Sequence, residues 1–195
     1  FMPSGQNVAS SYCIMNHPYV LSVLSPEILK RVLHLSMLSP DTITLLDSNL
    51  QASSESTLST FSFFSMEGLK QFCNSGAFAE VPATFYSYLN KAEIQYLLER
   101  IISLSEVGLY HPRIFRPSVF EIPENLCIGT VSRQKSAIIF NHPQKGFLAF
   151  DVKNITFSSA IYDFMEYLQM EETMTYSEEE SLQKIKDYLE SYLQA

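Results

Sequence analysis

Glycine is scarce in this chain. The six glycines among 195 residues stand singly at 5, 68, 76, 108, 129 and 146, so neither Gly-x-Gly nor Gly-x-x-x-x-Gly-Lys occurs. A phosphate cradle needs clustered backbone amides free of Cβ crowding, and its absence removes nucleotide-hydrolysing and dinucleotide-dependent enzymes from consideration. Cysteine is rarer still. Cys13, Cys73 and Cys127 are odd in number and widely spaced, the pattern of small buried thiols in a reducing cytoplasm rather than of a disulfide framework. No His-x-x-x-His or Cys-x-x-Cys spacing exists to preform a metal site, and none of the 26 serines lies in a Gly-x-Ser-x-Gly elbow. Long apolar runs are missing too: no stretch reaches the roughly 18 residues of a membrane span, and no basic-then-apolar leader opens the chain. The expectation is a cytoplasmic protein with no membrane contact.

Positive charge is thin as well. The 13 Lys and Arg are scattered, with Lys30-Arg31 the only adjacent pair, which leaves no basic stripe to neutralise phosphates. Any contact with DNA is expected through a domain not in this chain. Acids, by contrast, are concentrated: residues 163–195 hold nine Asp and Glu against two Lys, carrying −7 of the net −8. With 46% hydrophobic and 13% aromatic residues, the 22.2 kDa chain can bury a real core. Residues 1–195 are read as one domain.

The punctuation predicts a mixed α/β fold. Ser25-Pro26-Glu27 opens a helix with Leu29, Val32 and Leu33 at helical spacing, ending by Ser39-Pro40. Tyr12–Met15 and Tyr19–Leu24 are apolar runs either side of Asn16-His17-Pro18, one or both of them strands, and Thr42–Leu46 reads as another strand. Residues 47–59 form an exposed polar loop. Thr60–Phe64 resumes as a strand, Ser65 caps a helix over 66–74 that Gly76 terminates, and Asn90-Lys91-Ala92-Glu93 opens a helix running towards Gly108. Beyond Pro112 the pattern turns to strands at 114–115, 119–122, 126–132, 137–140 and 147–152, the last three forming an antiparallel meander. Two acidic helices close the chain: one from 155 to about 170 with Ile161, Phe164, Met165 and Leu168 on its inner face, the other opened by Ser177-Glu178-Glu179-Glu180.

Chemistry-bearing side chains are sparse. His17, His111 and His142 each precede a proline, the reading of turn residues, and no cofactor or metal is expected. Aromatics are the richer signal. Phe61, Phe63, Tyr86, Tyr88 and Tyr110, beside Arg113, have the make-up of an apolar pocket with a cation to orient an acidic group, so these six are the expected ligand-binding residues.

The order Ile122-Pro123-Glu124-Asn125-Leu126, then Ser136-Ala137-Ile138-Ile139-Phe140, Gly146-Phe147-Leu148-Ala149-Phe150 and Ser159-Ala160-Ile161-Tyr162-Asp163-Phe164-Met165-Glu166-Tyr167-Leu168 resembles the end of the C-terminal sensor regions of bacterial helix-turn-helix transcriptional regulators. Some of those regions are phospholipase D-like without the catalytic pairs, and the His-x-Lys of active enzymes is absent here. The resemblance covers about a quarter of the chain. It implies a non-catalytic domain that senses a small-molecule or peptide effector and forms a homodimer, its DNA-binding part lying upstream of residue 1. Leu182, Ile185, Leu189 and Leu193 are the expected seam of that dimer. The alternative is a stand-alone interaction domain whose acidic C-terminal helices bind a basic partner.

Overall fold

The computed structural model describes residues 10–34, 59–77, 81–117, 121–142 and 146–194. The expected strand at 42–46 lies outside them, as do residues 47–58 of the loop expected at 47–59, whose last residue, Ser59, instead opens a strand, and residues 119–120 of the strand expected at 119–122, whose described residues 121–122 are not in a strand. The architecture is mixed α/β: a six-stranded sheet in the order β3-β2-β1-β4-β5-β6, with helices on both faces. In chain order the elements are β1 (Ser10–Met15), α1 (Pro26–Val32), β2 (Ser59–Phe64), α2 (Met66–Ser75), a 3₁₀ turn (Ala83–Phe85) and α3 (Lys91–Glu106). Then follow β3 (Tyr110–Ile114), β4 (Leu126–Ser132), β5 (Lys135–His142), β6 (Gly146–Val152), α4 (Ile155–Met170) and α5 (Glu178–Gln194).

β1, β2 and β3 are mutually parallel, joined by crossovers that carry α1, α2 and α3, whereas β4 runs antiparallel to β1 and starts the expected antiparallel meander β4-β5-β6. Parallel neighbours need long crossovers and antiparallel ones only turns. The helix starts obey their caps: Ser25 Oγ accepts from the Ile28 N–H, Ser65 Oγ from the Gly68 N–H, and Asn90 and Glu93 exchange both bonds of a capping box. Gly76 ends α2 at φ +67°, where a Cβ would lie 2.2 Å from the Leu89 carbonyl oxygen.

Alternation along the strands divides the core in two. On one face α1, α2, α3 and α5 bring Leu29, Phe72, Leu98 and Ile185 against Phe64, Tyr110 and Ile114. On the other, α4 sets Met165 and Leu168 on Tyr12, Ile14, Phe61 and Phe63.

Of the two apolar runs at 12–15 and 19–24, the first is β1; in the second, residues 20–24 form a hydrogen-bonded turn, with the N–H groups of Val23 and Leu24 both on the Val20 carbonyl. Three further expectations change. The strand expected at 114–115 starts at Tyr110 and runs through Pro112. An edge strand tolerates a proline whose nitrogen points away from its neighbour; Ile114, two residues on, turns its N–H outward to Ser181 Oγ at 3.0 Å. Phe164 is exposed rather than on the inner face of α4. Finally, two of the four expected seam residues, Ile185 and Leu189, are buried in the chain's own core and are not open to a second copy.

Candidate functional site

The outer edge of β3 is sewn to the segment that joins α4 to α5. Tyr176 N–H donates to the Ile114 carbonyl at 2.8 Å, Arg116 N–H to the Met174 carbonyl at 2.9 Å, and Phe115 pairs with Thr175. Ser177 and Glu180 close a capping box that starts α5 directly above this joint. The joint therefore gathers the side chains of β3 and the first turn of α5.

Arg113 lies at its centre. It is 7% exposed, and its Nη2 and Nε donate to Thr175 Oγ1 at 2.8 and 3.2 Å. Thr175 passes its own proton to the Glu171 carbonyl at 3.0 Å. Among the described residues Arg113 makes no ion pair. Burial lowers the guanidinium's affinity for its proton, while the fields of Glu172, Glu178 and Glu180 pull the other way. Two of those carboxylates are committed: Glu178 to His111, and Glu180 to the Ser177 N–H and Arg116. A buried cation satisfied by one neutral hydroxyl is costly to keep.

Beside it runs a relay that the sequence did not signal. His111 Nδ1 lies 2.9 Å from both Glu178 oxygens and Nε2 2.6 Å from Ser59 Oγ, with the imidazole stacked on Phe61 at 4.2 Å. A carboxylate only accepts, so Nδ1 carries the proton; in the neutral ring Nε2 accepts from the Ser59 hydroxyl. Ser, His and Glu in this connectivity match the order of a nucleophile, its base and the acid that orients it. Acyl transfer also needs an oxyanion donor, usually the N–H after the nucleophile. Here the Thr60 N–H is spent on the Leu109 carbonyl at 3.0 Å, and Ser59 is 8% exposed at the start of β2. What the relay does visibly is tie α5 to the sheet.

The six expected ligand-binding residues do not share one surface. Phe61, Phe63 and Arg113 occupy the face under α4, Phe61 and Phe63 in its core; Tyr110 and Tyr86 lie in the core of the opposite face; Tyr88, tilted on Tyr86 at 5.8 Å, is exposed. A single pocket bordered by all six is therefore not formed, because strand alternation sends Tyr110 and Arg113, three residues apart, to opposite sides. Ser59, His111, Thr175 and Glu178 join Arg113 instead. The sequence signalled His111 only as a turn residue before a proline and Glu178 only as part of a helix start, and nothing in it linked them to each other or to Ser59 and Thr175.

The ends of the parallel strands, where α/β sheets commonly hold ligands, are filled by the chain. Ser65 Oγ donates to Asn16 Oδ1 at 3.0 Å, Asn16 Nδ2 to Gln71 at 2.9 Å, and Gln71 Nε2 to Glu124 at 3.2 Å. Among the described residues no group of three His, Cys, Asp or Glu is placed to hold a metal ion, and no helix is long and apolar enough to cross a membrane. No family model, curated protein or solved structure matches the chain.

Proposed function

We propose that this chain is a non-catalytic effector-sensing and association domain of a transcriptional regulator, with DNA contacted through a domain outside it. The observation that carries the reading is Arg113, a buried guanidinium at the joint of α4 and α5 whose hydrogen bonds, among the described residues, go to Thr175. Such a group is poorly explained by stability and well explained by a ligand whose carboxylate or phosphate completes it. An acid arriving there competes for the bonds that hold Thr175, and so bears directly on the segment that positions the last helix. The commitment of the Thr60 N–H supports the non-catalytic half, and the dispersal of Lys and Arg supports DNA contact elsewhere.

Thermal melting of the full chain against inorganic phosphate, citrate, succinate and acidic dipeptides tests the effector half. A probe at about 100 times its dissociation constant adds roughly 2.7 kcal/mol, and Arg113→Met should abolish the rise. No rise with any probe, or a rise retained in Arg113→Met, overturns it.

A further inference from the structure

The two edges of the sheet are treated differently. The end of β3 is covered by residues 174–176 and by Ser181, which take up the outward N–H and carbonyl of Ile114 and the N–H of Arg116 just beyond it. β6 pairs with β5 alone, and among the described residues nothing bonds its outer side. Soluble edge strands usually carry a guard such as a proline, a bulge or repeated lysines. β6, Gly-Phe-Leu-Ala-Phe-Asp-Val, has one acid and an unbroken register with β5.

Its side chains are uncovered as well. Leu148 is 53% and Phe150 47% exposed, flanked on the same face by Phe140, whose ring meets Phe150 edge-on at 6.4 Å. α4 crosses this face where Ser158 bonds Ser136 at 2.7 Å, and exposes Phe157 and Phe164, two turns apart on one side. The acids of α4, Asp163 and Glu166, are engaged with Arg133 on another side of the helix. At roughly 200 Å² per full side chain, those five leave about 500 Å² of apolar surface open. Phe147 adds an exposed ring on the other face, and the strand's backbone edge adds more. The total approaches the roughly 800 Å² that each partner contributes to a stable dimer.

We infer that β6 is the association surface, and that its occupant is a second copy of this chain paired antiparallel to it about a two-fold axis near Ala149. A strand edge is self-complementary under such an axis, which sets Leu148 opposite Phe150 of the partner subunit and joins two sheets into one of twelve strands. The exposed side chains of this patch are apolar, so a like apolar face fits it. The inference rests on the association half of the proposed function and is independent of the effector half.

Light scattering and sedimentation of the full chain, from about 1 to 100 μM, give the mass. A dimer is expected. The double variant Leu148→Lys/Phe150→Lys changes two exposed side chains, so it should keep the native circular dichroism and a cooperative melting transition, lowered only by the lost association, yet run as a monomer. Leu193→Lys, at an exposed position of α5, should remain dimeric. A monomeric wild type across that range overturns the inference, as does a β6 double variant that folds and stays dimeric, or dissociation by Leu193→Lys alone. A monomer that still gains melting temperature from an acidic probe sinks the β6 face and leaves the effector reading standing.

Discussion

His111 and Glu178 are 67 residues apart in sequence and 2.9 Å apart in space. The contact joins the second residue of β3 to the first residue of α5, and through Ser59 it reaches the first residue of β2. Three elements that share no local sequence signal are thus fixed at one point.

Glu178→Ala should loosen the start of α5 without unfolding the sheet. The pair is partly exposed, so its removal costs about 0.5–1 kcal/mol in urea denaturation. Hydrogen exchange in residues 178–185 should quicken, while that of β1 and β2 stays unchanged.

Thr175→Val removes the hydroxyl that, among the described residues, accepts from Arg113 and leaves buried guanidinium N–H groups without it, a loss of roughly 1–3 kcal/mol. Arg113→Met, of similar length, should be neutral or stabilising, since it deletes the charge together with its need. Urea denaturation of both variants decides the matter: if Arg113→Met is the more damaging, the guanidinium is a structural support.

Gly68→Ala should destabilise, although alanine is the better helix former by about 0.8–1 kcal/mol. A Cβ at this position would stand 1.7 Å from the Asn16 carbonyl oxygen, which is backbone and cannot step aside cheaply. A lowered melting temperature, with loss of the Asn16–Ser65 bond seen by crystallography, is the expected result.

Burial pushes the Cys73 thiol up to about 12, a hydrogen bond with Tyr188 offsetting part of the effect. The unfolded thiol ionises near 8.5, so its contribution to stability is fully present below that pH and is lost as pH rises towards 12. Native protein at pH 8 should release almost no thionitrobenzoate from Ellman's reagent, because all three cysteines are buried. Guanidinium should expose three reactive thiols per chain.

The sequence by itself determined the elements whose instructions are local. Ser25-Pro26, Ser65 and Asn90-x-x-Glu93 cap the helices that follow them, Gly76 stops α2 because glycine tolerates a positive φ, and short polar turns dictate the meander. Such signals act over a few residues, within reach of a side chain and its own backbone. Tertiary structure decided the rest. The strand order 3-2-1-4-5-6, the run of β3 through Pro112, the burial of Ile185 and Leu189 and the place of β6 at the edge of the sheet all depend on which segments pack together. The same holds for the cluster of Ser59, His111, Arg113, Thr175 and Glu178, whose bonds span 52, 62 and 67 residues. No hydrophobic period encodes a polar contact across that distance; it forms only when the sheet and the last two helices are already in place.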